Sequence, residues 1–549
     1  MMKKTLAILL ALILLLSACG SGDGSGQIIR YDIPAGVSNL DPQFAVDATA
    51  RMIISNTFEG LFRQLPSGEV VPCLAKSYET SPDGLTYTFY LREDAKWSKI
   101  KGVWEEDTPV TAHDFVFAIR RLFDATASSP YASDFLCIKN ASAVLSGALK
   151  ATALGVSAPE DYTLQIQLDT PNRLLPELLA STSAMPCNEE FFLSTKARYG
   201  MDLKSLLFNG PFYIKSWGET DYITLRQNTN YSSQDPVIAG GVNFYINREG
   251  AKSSSSSAQE GDAWADTPTR FLQGKVDASK IDYENLSQIT DQGGDYDAFD
   301  DTVWVIVFNG EMEYLANEEV RKALTYSVDR SLFSGYVPGN MMTAQVLVPP
   351  AVSAMGGNYR QYAGLISPVI YSPEIAKRYL VSAMEDLGIS QLPFNDLLVC
   401  DENNLPLLAG FVQQNWQRYL SLYTGLTVLP REEVLERVAL GEFQAALIPL
   451  SASYASPSSV LSYFKTGSVL NQFSYSNEEV DRLLEKTASS DGQTAFEIYK
   501  QAEDAVLLDG AAIPLFFETT YYAMAPQVSG VEFSPFLPGV YFKYAKKSD

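Results

Sequence analysis

"FEGLFRQLPSGEVVPCLAKSYETSPDGLTYTFYLREDAKW", residues 58–97, is the stretch that decides the fold. Within it Leu85, Tyr87, Phe89 and Leu91 alternate with other residues, the period of a strand that buries one face. "DYTLQIQLDTP" repeats the device with Tyr162, Leu164, Ile166 and Leu168. "TVWVIVFNG", 302–310, is instead a continuous apolar run ending at Asn309 and Gly310, as in a strand covered on both faces. Half-buried and fully buried strands in one chain predict a mixed α/β protein.

Helices are marked by their caps. In "TAHDFVFAIRRLFD" Thr111 and Asp114 form a T-x-x-D capping pattern, and Phe115, Ile119, Leu122 and Phe123 share a face. Asn317 and Asn477 each precede two glutamates, which suits the positive end of a helix dipole. Ser372, Pro373 and Gly388 supply cap, first turn and stop for one helix. Ser253 to Ser257 sit in a polar run that reads as a surface loop or insertion.

The chain has 549 residues, 46% of them hydrophobic, enough for two to four structural lobes. A net charge of −24 repels a phosphate backbone, so nucleic acid is excluded as a partner. Thirty tyrosines and 28 phenylalanines serve cores and sheet faces, with a handful left to line a ligand cleft.

The start of the chain reads as an address. Lys3 and Lys4 precede an apolar run over 5–16, then Ser17, Ala18 and Cys19. That is a secretory signal, 1–18, too short to span a bilayer. The -L-S-A-C- ending is a lipobox, which makes Cys19 a lipid anchor, and residues 19–27 a Gly/Ser tether. An ordinary signal peptide with an incidental cysteine is the alternative. Cys73, Cys137, Cys187 and Cys400 show no C-x-x-C spacing and cannot be paired from sequence.

Catalytic apparatus is hard to find. The one histidine, His113, lies in a helix's first turn, far in sequence from any nucleophile it would serve. No zinc motif, phosphate loop or dinucleotide fingerprint occurs. A pair of carboxylates facing each other would still allow an extracytoplasmic hydrolase. No metal and no cofactor are expected.

Ordered motifs add a resemblance. F-E-G-L, P-x-L-A-x-S-Y-E-x-S-x-D-G-x-T-Y-T-F-x-L-R-x-D-x-K-W and P-V-T-A-x-D-F-V-F run from 58 to 117; "NGPFYIKSW" (209–217), "NEEVRKALTYSVDR" (317–330) and "AAIPLFF" (511–517) follow. The chain resembles solute-binding protein family 5, the oligopeptide- and dipeptide-binding lipoproteins of ABC transporters, over nearly its whole mature length. That resemblance implies a type II periplasmic-binding-protein-like fold, two α/β lobes with a hinge and an extra domain on the first. The expected division is 28–65, 195–275 and 518–549 for the first lobe, 66–194 for the extra domain, and 276–517 for the second lobe. It also implies a peptide or peptide-like ligand, ABC permease subunits as partners, and a monomer on the outer face of a membrane or in a periplasm. A sensor or surface receptor on the same fold is the second reading. Nickel capture, known among relatives, is disfavoured by the single histidine, and nothing supports haem.

Ligand contacts are carried over onto Tyr131, onto Ser451, Ala452, Ser453 and Tyr454, onto Ala45, Val46, Asp47 and Ala48, and more weakly onto Trp304. Two departures stand out in "LSASYASPSSVL", 450–461, and the strand before it. Ser453 occupies the place of the family's aspartate for a peptide ammonium, and Leu447 lies where some relatives carry an arginine for the carboxylate. A hydroxyl does not supply a carboxylate's charge-assisted bond. Either another acid such as Asp47 acts from across the cleft, or the ligand is blocked at its N-terminus or is not a simple peptide. "SKIKGVWEED", 98–107, replaces a shorter family turn and is expected to be a surface hairpin tip.

Overall fold

The apolar run that starts at Thr302 supplies the buried end of a 14-residue strand, Asp295–Phe308, which is exposed over 295–298 and half-buried over 299–302. It runs antiparallel to the 13-residue strand Ala512–Met524, from Asp295 opposite Met524 to Val307 opposite Ala512. In this computed structural model the described residues are 26–548, apart from 125, 128, 219–220, 248–265, 355–356, 491 and 537–538. Cys19, the leader and Ser253 to Ser257 lie outside the described residues.

These two long strands join two lobes. At one end Thr302–Phe308 pairs with Ala445–Ser451, which lies parallel to Asp396–Cys400, itself parallel to Gly425–Leu429. At the other end Tyr521–Met524 pairs with Ala278–Ile281, followed by Ile28–Ile33, Gly241–Ile246, Tyr222–Gln227 and Phe212–Trp217. The register slips between Asp300 and Thr302, leaving Asp301 as an extra residue where one lobe gives way to the other. Such a bulge weakens the ladder where a hinge must bend.

Apolar burial divides at the same place. One core gathers residues from Ile29 to Ile289 together with Ala523 to Ala545; the other gathers Val303 to Phe517 and Phe536. Val276, Ala278, Ile281 and Ile289 thus pack with the first core, on the far side of the 275/276 division expected from sequence. The reason is pairing: Ala278–Ile281 hydrogen-bonds to the first-lobe end of Ala512–Met524.

Residues 75–167 contribute a four-stranded antiparallel sheet, ordered 75–80, 86–91, 163–167 and 156–160. Tyr87, Phe89, Leu91, Leu164 and Ile166 turn inward from it. Helix Ala112–Leu122 covers that face with Phe115, Ile119 and Leu122, and its start carries the Thr111–Asp114 capping box. His113 is exposed there, its Nε2 3.5 Å from Asp161. Residues 98–107 form a tip closed by bridges Lys96–Pro109 and Ile100–Trp104, with Lys96 Nζ 2.8 Å from Asp107. The caps at Asn317, Ser372 and Asn477 form, and Gly388 ends its helix at φ 64°.

Two of the quoted motifs meet in space. Asn209 Nδ2 donates to the Glu59 carbonyl at 2.8 Å, and Asn209 Oδ1 accepts from the Glu59 amide at 3.1 Å. A Cβ at Gly210 would stand 2.6 Å from the Thr57 backbone, so glycine is required for this approach.

Candidate ligand-binding cavity between the lobes

A cavity of about 680 Å³ lies where the first lobe, the four-stranded domain and the second lobe converge. Helix Ala48–Thr57 and the hairpin Phe62–Pro72 bring Arg51, Ser55, Phe62, Arg63 and Gln64 to its wall. The four-stranded domain supplies Tyr131, Asp134, Glu177 and Leu178; the second lobe supplies Ser453, Tyr454, Tyr463 and Lys465. The lining mixes aromatic faces with many hydroxyls, as suits an amphipathic guest.

The lobes touch around it. Ser353 Oγ donates to the Ser67 carbonyl at 2.7 Å, the Ala455 amide to Gln64 Oε1 at 3.2 Å, and the Arg173 amide to the Ala488 carbonyl at 2.7 Å. Two of these three contacts come from one hairpin turn, residues 64–68.

Charge in the wall is partly compensated. Arg63 pairs with Glu532 at 2.5 Å and stacks 4.5 Å from the Tyr541 ring centre. Glu59 accepts from the Tyr231 hydroxyl at 2.5 Å and has Arg92 at 3.7 Å; burial pushes its carboxyl up, and those partners oppose the shift. Asp134 has open surface in the cavity, yet the surrounding walls desolvate it and push its carboxyl up to about 6, with Arg51 opposing. Burial raises Glu177 as well. The Cys73 thiol, also on the wall, is pushed up to about 12 by burial and stays protonated. Cys73, Cys137, Cys187 and Cys400 are all free.

Of the residues singled out from sequence, Tyr131, Ser453 and Tyr454 line this cavity. Tyr131 donates its hydroxyl to the Ala45 carbonyl at 2.5 Å, so Ala45 positions Tyr131 from behind. Val46, Asp47 and Ala48 are exposed and stand off the wall; Asp47 Oδ1 caps helix Ala48–Thr57 by accepting from the Ala50 amide at 2.9 Å. Ser451 is exposed with its Oγ 2.8 Å from Thr302 Oγ1, Ala452 is buried, and neither lines the cavity. Trp304 does not reach the wall either. Its strand is covered on both faces, its indole donates to Glu518 Oε2 at 2.8 Å, and Arg431 lies 5.1 Å over the ring. Ser453 is held by Ser459, whose Oγ accepts the Ser453 amide at 2.7 Å.

Sequence reasoning missed Arg51, Asp134, Glu177 and Lys465. Asp134 had a usable signal, since it follows Tyr131 in the same short turn, Ala132–Phe135. Glu177 had none, because only folding brings its helix to the cavity wall.

A bulged pair of crossing strands between two α/β lobes, with a cavity between them, defines a hinged solute-binding protein. A family model described as "Bacterial extracellular solute-binding proteins, family 5 Middle" matches residues 69–472, and the chain belongs to that family. It is 28% identical to the oligopeptide-binding protein OppA of Bacillus subtilis, over 99% of each chain. It is 27% identical to the dipeptide-binding protein DppE of the same organism, over 90% of this chain and 87% of the relative. The structure of Listeria monocytogenes OppA bound to peptide superposes with a TM-score of 0.72 at 25% identity, covering 96% of this chain and all of the other.

Proposed function

We propose that this protein captures an oligopeptide or peptide-like solute in the interlobe cavity and delivers it unchanged to the permease of an ABC importer. The observation that carries the reading is the cavity itself, walled by both lobes and holding Tyr131, Ser453 and Tyr454. The names of the relatives, two peptide-binding proteins and one solved with peptide, support the ligand class. An extended guest satisfies its backbone against the walls while its side chains meet hydroxyls and rings. Lobe contacts such as Gln64–Ala455 then close over it.

Protein lacking residues 1–18, stripped of ligand in denaturant and refolded, is expected to be stabilised by members of a short-peptide library. At a hundred times Kd the gain is about 2.7 kcal/mol, read as a rise in Tm. Absence of any stabilisation across the library would refute the reading.

Lipid on Cys19 completes the proposal. A tether beside the permease raises the local concentration of loaded protein. Cys19→Ser is expected to move the protein from the membrane pellet to the soluble fraction; undiminished membrane retention would exclude the anchor.

A further inference from the structure

Asp301 is the extra residue of the hinge. Asp300 stands opposite Thr519 and Thr302 opposite Glu518, so Asp301 has no partner of its own in the ladder. The groups around the bulge come from both lobes. The Asp300 carbonyl accepts the Ala351 amide at 2.9 Å, and Thr302 Oγ1 lies 2.8 Å from Ser451 Oγ, both second-lobe contacts. Just beyond Thr520, the first-lobe strand Ala278–Ile281 takes up the pairing, with Lys280 opposite Tyr522. A turn of one lobe against the other therefore rearranges the surroundings of Asp301.

The Asp301 side chain is half-buried and makes no ion pair among the described residues. Its Oδ1 accepts from two hydroxyls, Thr302 Oγ1 and Thr520 Oγ1, each at 3.1 Å. Lys280, exposed on its strand, attracts the ionised form, Glu518 repels it, and the Tyr522 phenol feels its charge. Glu518 has donors of its own, Trp304 Nε1 at 2.8 Å and Asn403 Nδ2 at 3.0 Å, with Arg431 4.0 Å away. The adjacent Asp300 accepts from Thr519 Oγ1 at 2.5 Å. Burial outweighs Lys280 and the two hydroxyls and pushes the Asp301 carboxyl up to about 6.

We propose that Asp301 links closure of the lobes to a proton: protonating its carboxyl favours the lobes-together form, so the protein closes more readily in mildly acidic surroundings. Opening at the bulge admits water to the carboxyl and returns it toward an ordinary aspartate, near about 3.9. The closed form thus binds the proton more tightly. Above about pH 6 closure carries the whole cost of covering a charge, and that cost fades as the pH falls toward about 4. Between pH 7 and pH 5 the ratio of closed to open protein is expected to rise about tenfold. Closure itself is the property at issue, whatever the guest, so a failed peptide library would leave this linkage standing.

Small-angle scattering of the stripped, unliganded protein lacking residues 1–18, at a series of pH values from 7 to 5, reads the two populations. The native protein is expected to become more compact as the pH falls. Asp301→Asn keeps an oxygen for both hydroxyls and carries no charge; it is expected to be as compact at pH 7 as the native protein at pH 5, and to lose the pH response. Lys280→Met removes the attraction to the ionised form and is expected to move the midpoint to higher pH; it carries the test if Asp301→Asn does not fold. A native protein equally open at pH 7 and pH 5 overturns the proposal. A response that survives in Asp301→Asn belongs to other acids, such as Asp134, and overturns it too, as does an unmoved midpoint in Lys280→Met.

Discussion

Glu503→Ala is expected to lower the stability of the second lobe by about 3–5 kcal/mol, the cost of leaving one member of a buried ion pair alone. Glu503 lies on helix Gly492–Leu508 with its side chain wholly covered, and Arg360 is only 4% exposed. Glu503 Oε1 accepts from Arg360 and from the Leu347 and Val348 amides at 2.8 and 2.9 Å, and Oε2 from the Tyr359 hydroxyl at 3.2 Å. One carboxylate therefore fastens the connecting segment 347–360 to the helix. Removing it strands a guanidinium and two amides. Denaturant unfolding followed through Trp304 and Trp416, both fully buried in the second core, reads the loss. Arg360→Met in the Glu503→Ala background is expected to restore part of it, because the stranded charge is then gone. A single variant within 1 kcal/mol of the native protein would show that the pair contributes little.

Gly68→Val is expected to weaken ligand binding tenfold to a hundredfold while leaving each lobe folded. Gly68 turns the hairpin at φ +86°. A Cβ there would lie 2.0 Å from Ser353 Oγ and 2.6 Å from Ala455 Cβ, both on the second lobe. The overlap exists only when the lobes meet, so it penalises closure rather than folding. Overpacking of this kind costs about 1–3 kcal/mol, and each 1.4 kcal/mol of closure energy is tenfold in affinity. The left-handed turn adds a backbone strain of about 1–3 kcal/mol for a β-branched residue, which falls on the first lobe alone and is read separately from closure. Ser353→Gly combined with Gly68→Ala should bind more tightly than Gly68→Ala by itself. Small-angle scattering with saturating peptide should show the Gly68→Val protein more open than the native one. Native affinity in Gly68→Val would mean that the hairpin turn plays no part in closure.

Much of the frame was legible in the chain. The alternation at 85–91 and 162–168 became two neighbouring strands with Phe89 opposite Leu164, and the run at 302–310 became a strand covered on both faces. Caps at Thr111, Asn317, Ser372 and Asn477 formed because a side-chain acceptor two or three residues from an amide is a local fact. The continuation of that apolar strand through "DYDAFDD" was not legible. Residues 295–298 are exposed, 299–301 are half-buried, the stretch lacks an apolar period, and pairing with Ala512–Met524 keeps it extended.

The cavity wall divides in the same way. Tyr131, Ser453 and Tyr454 could be placed from ordered motifs. Trp304, Ser451 and the 45–48 segment could not be separated from true wall residues, because facing a core and facing a cavity look alike in sequence. By itself the sequence determined a mixed α/β chain with helices capped in place, a run of family motifs, and an acidic charge that repels nucleic acid. Which charges face the cavity, where the lobes meet, and that Asp134, Glu177 and Tyr454 line one cavity were decided by tertiary structure alone. Periodicity and caps act over a few residues, whereas a cavity wall is assembled from segments hundreds of positions apart, and only packing sets their distance.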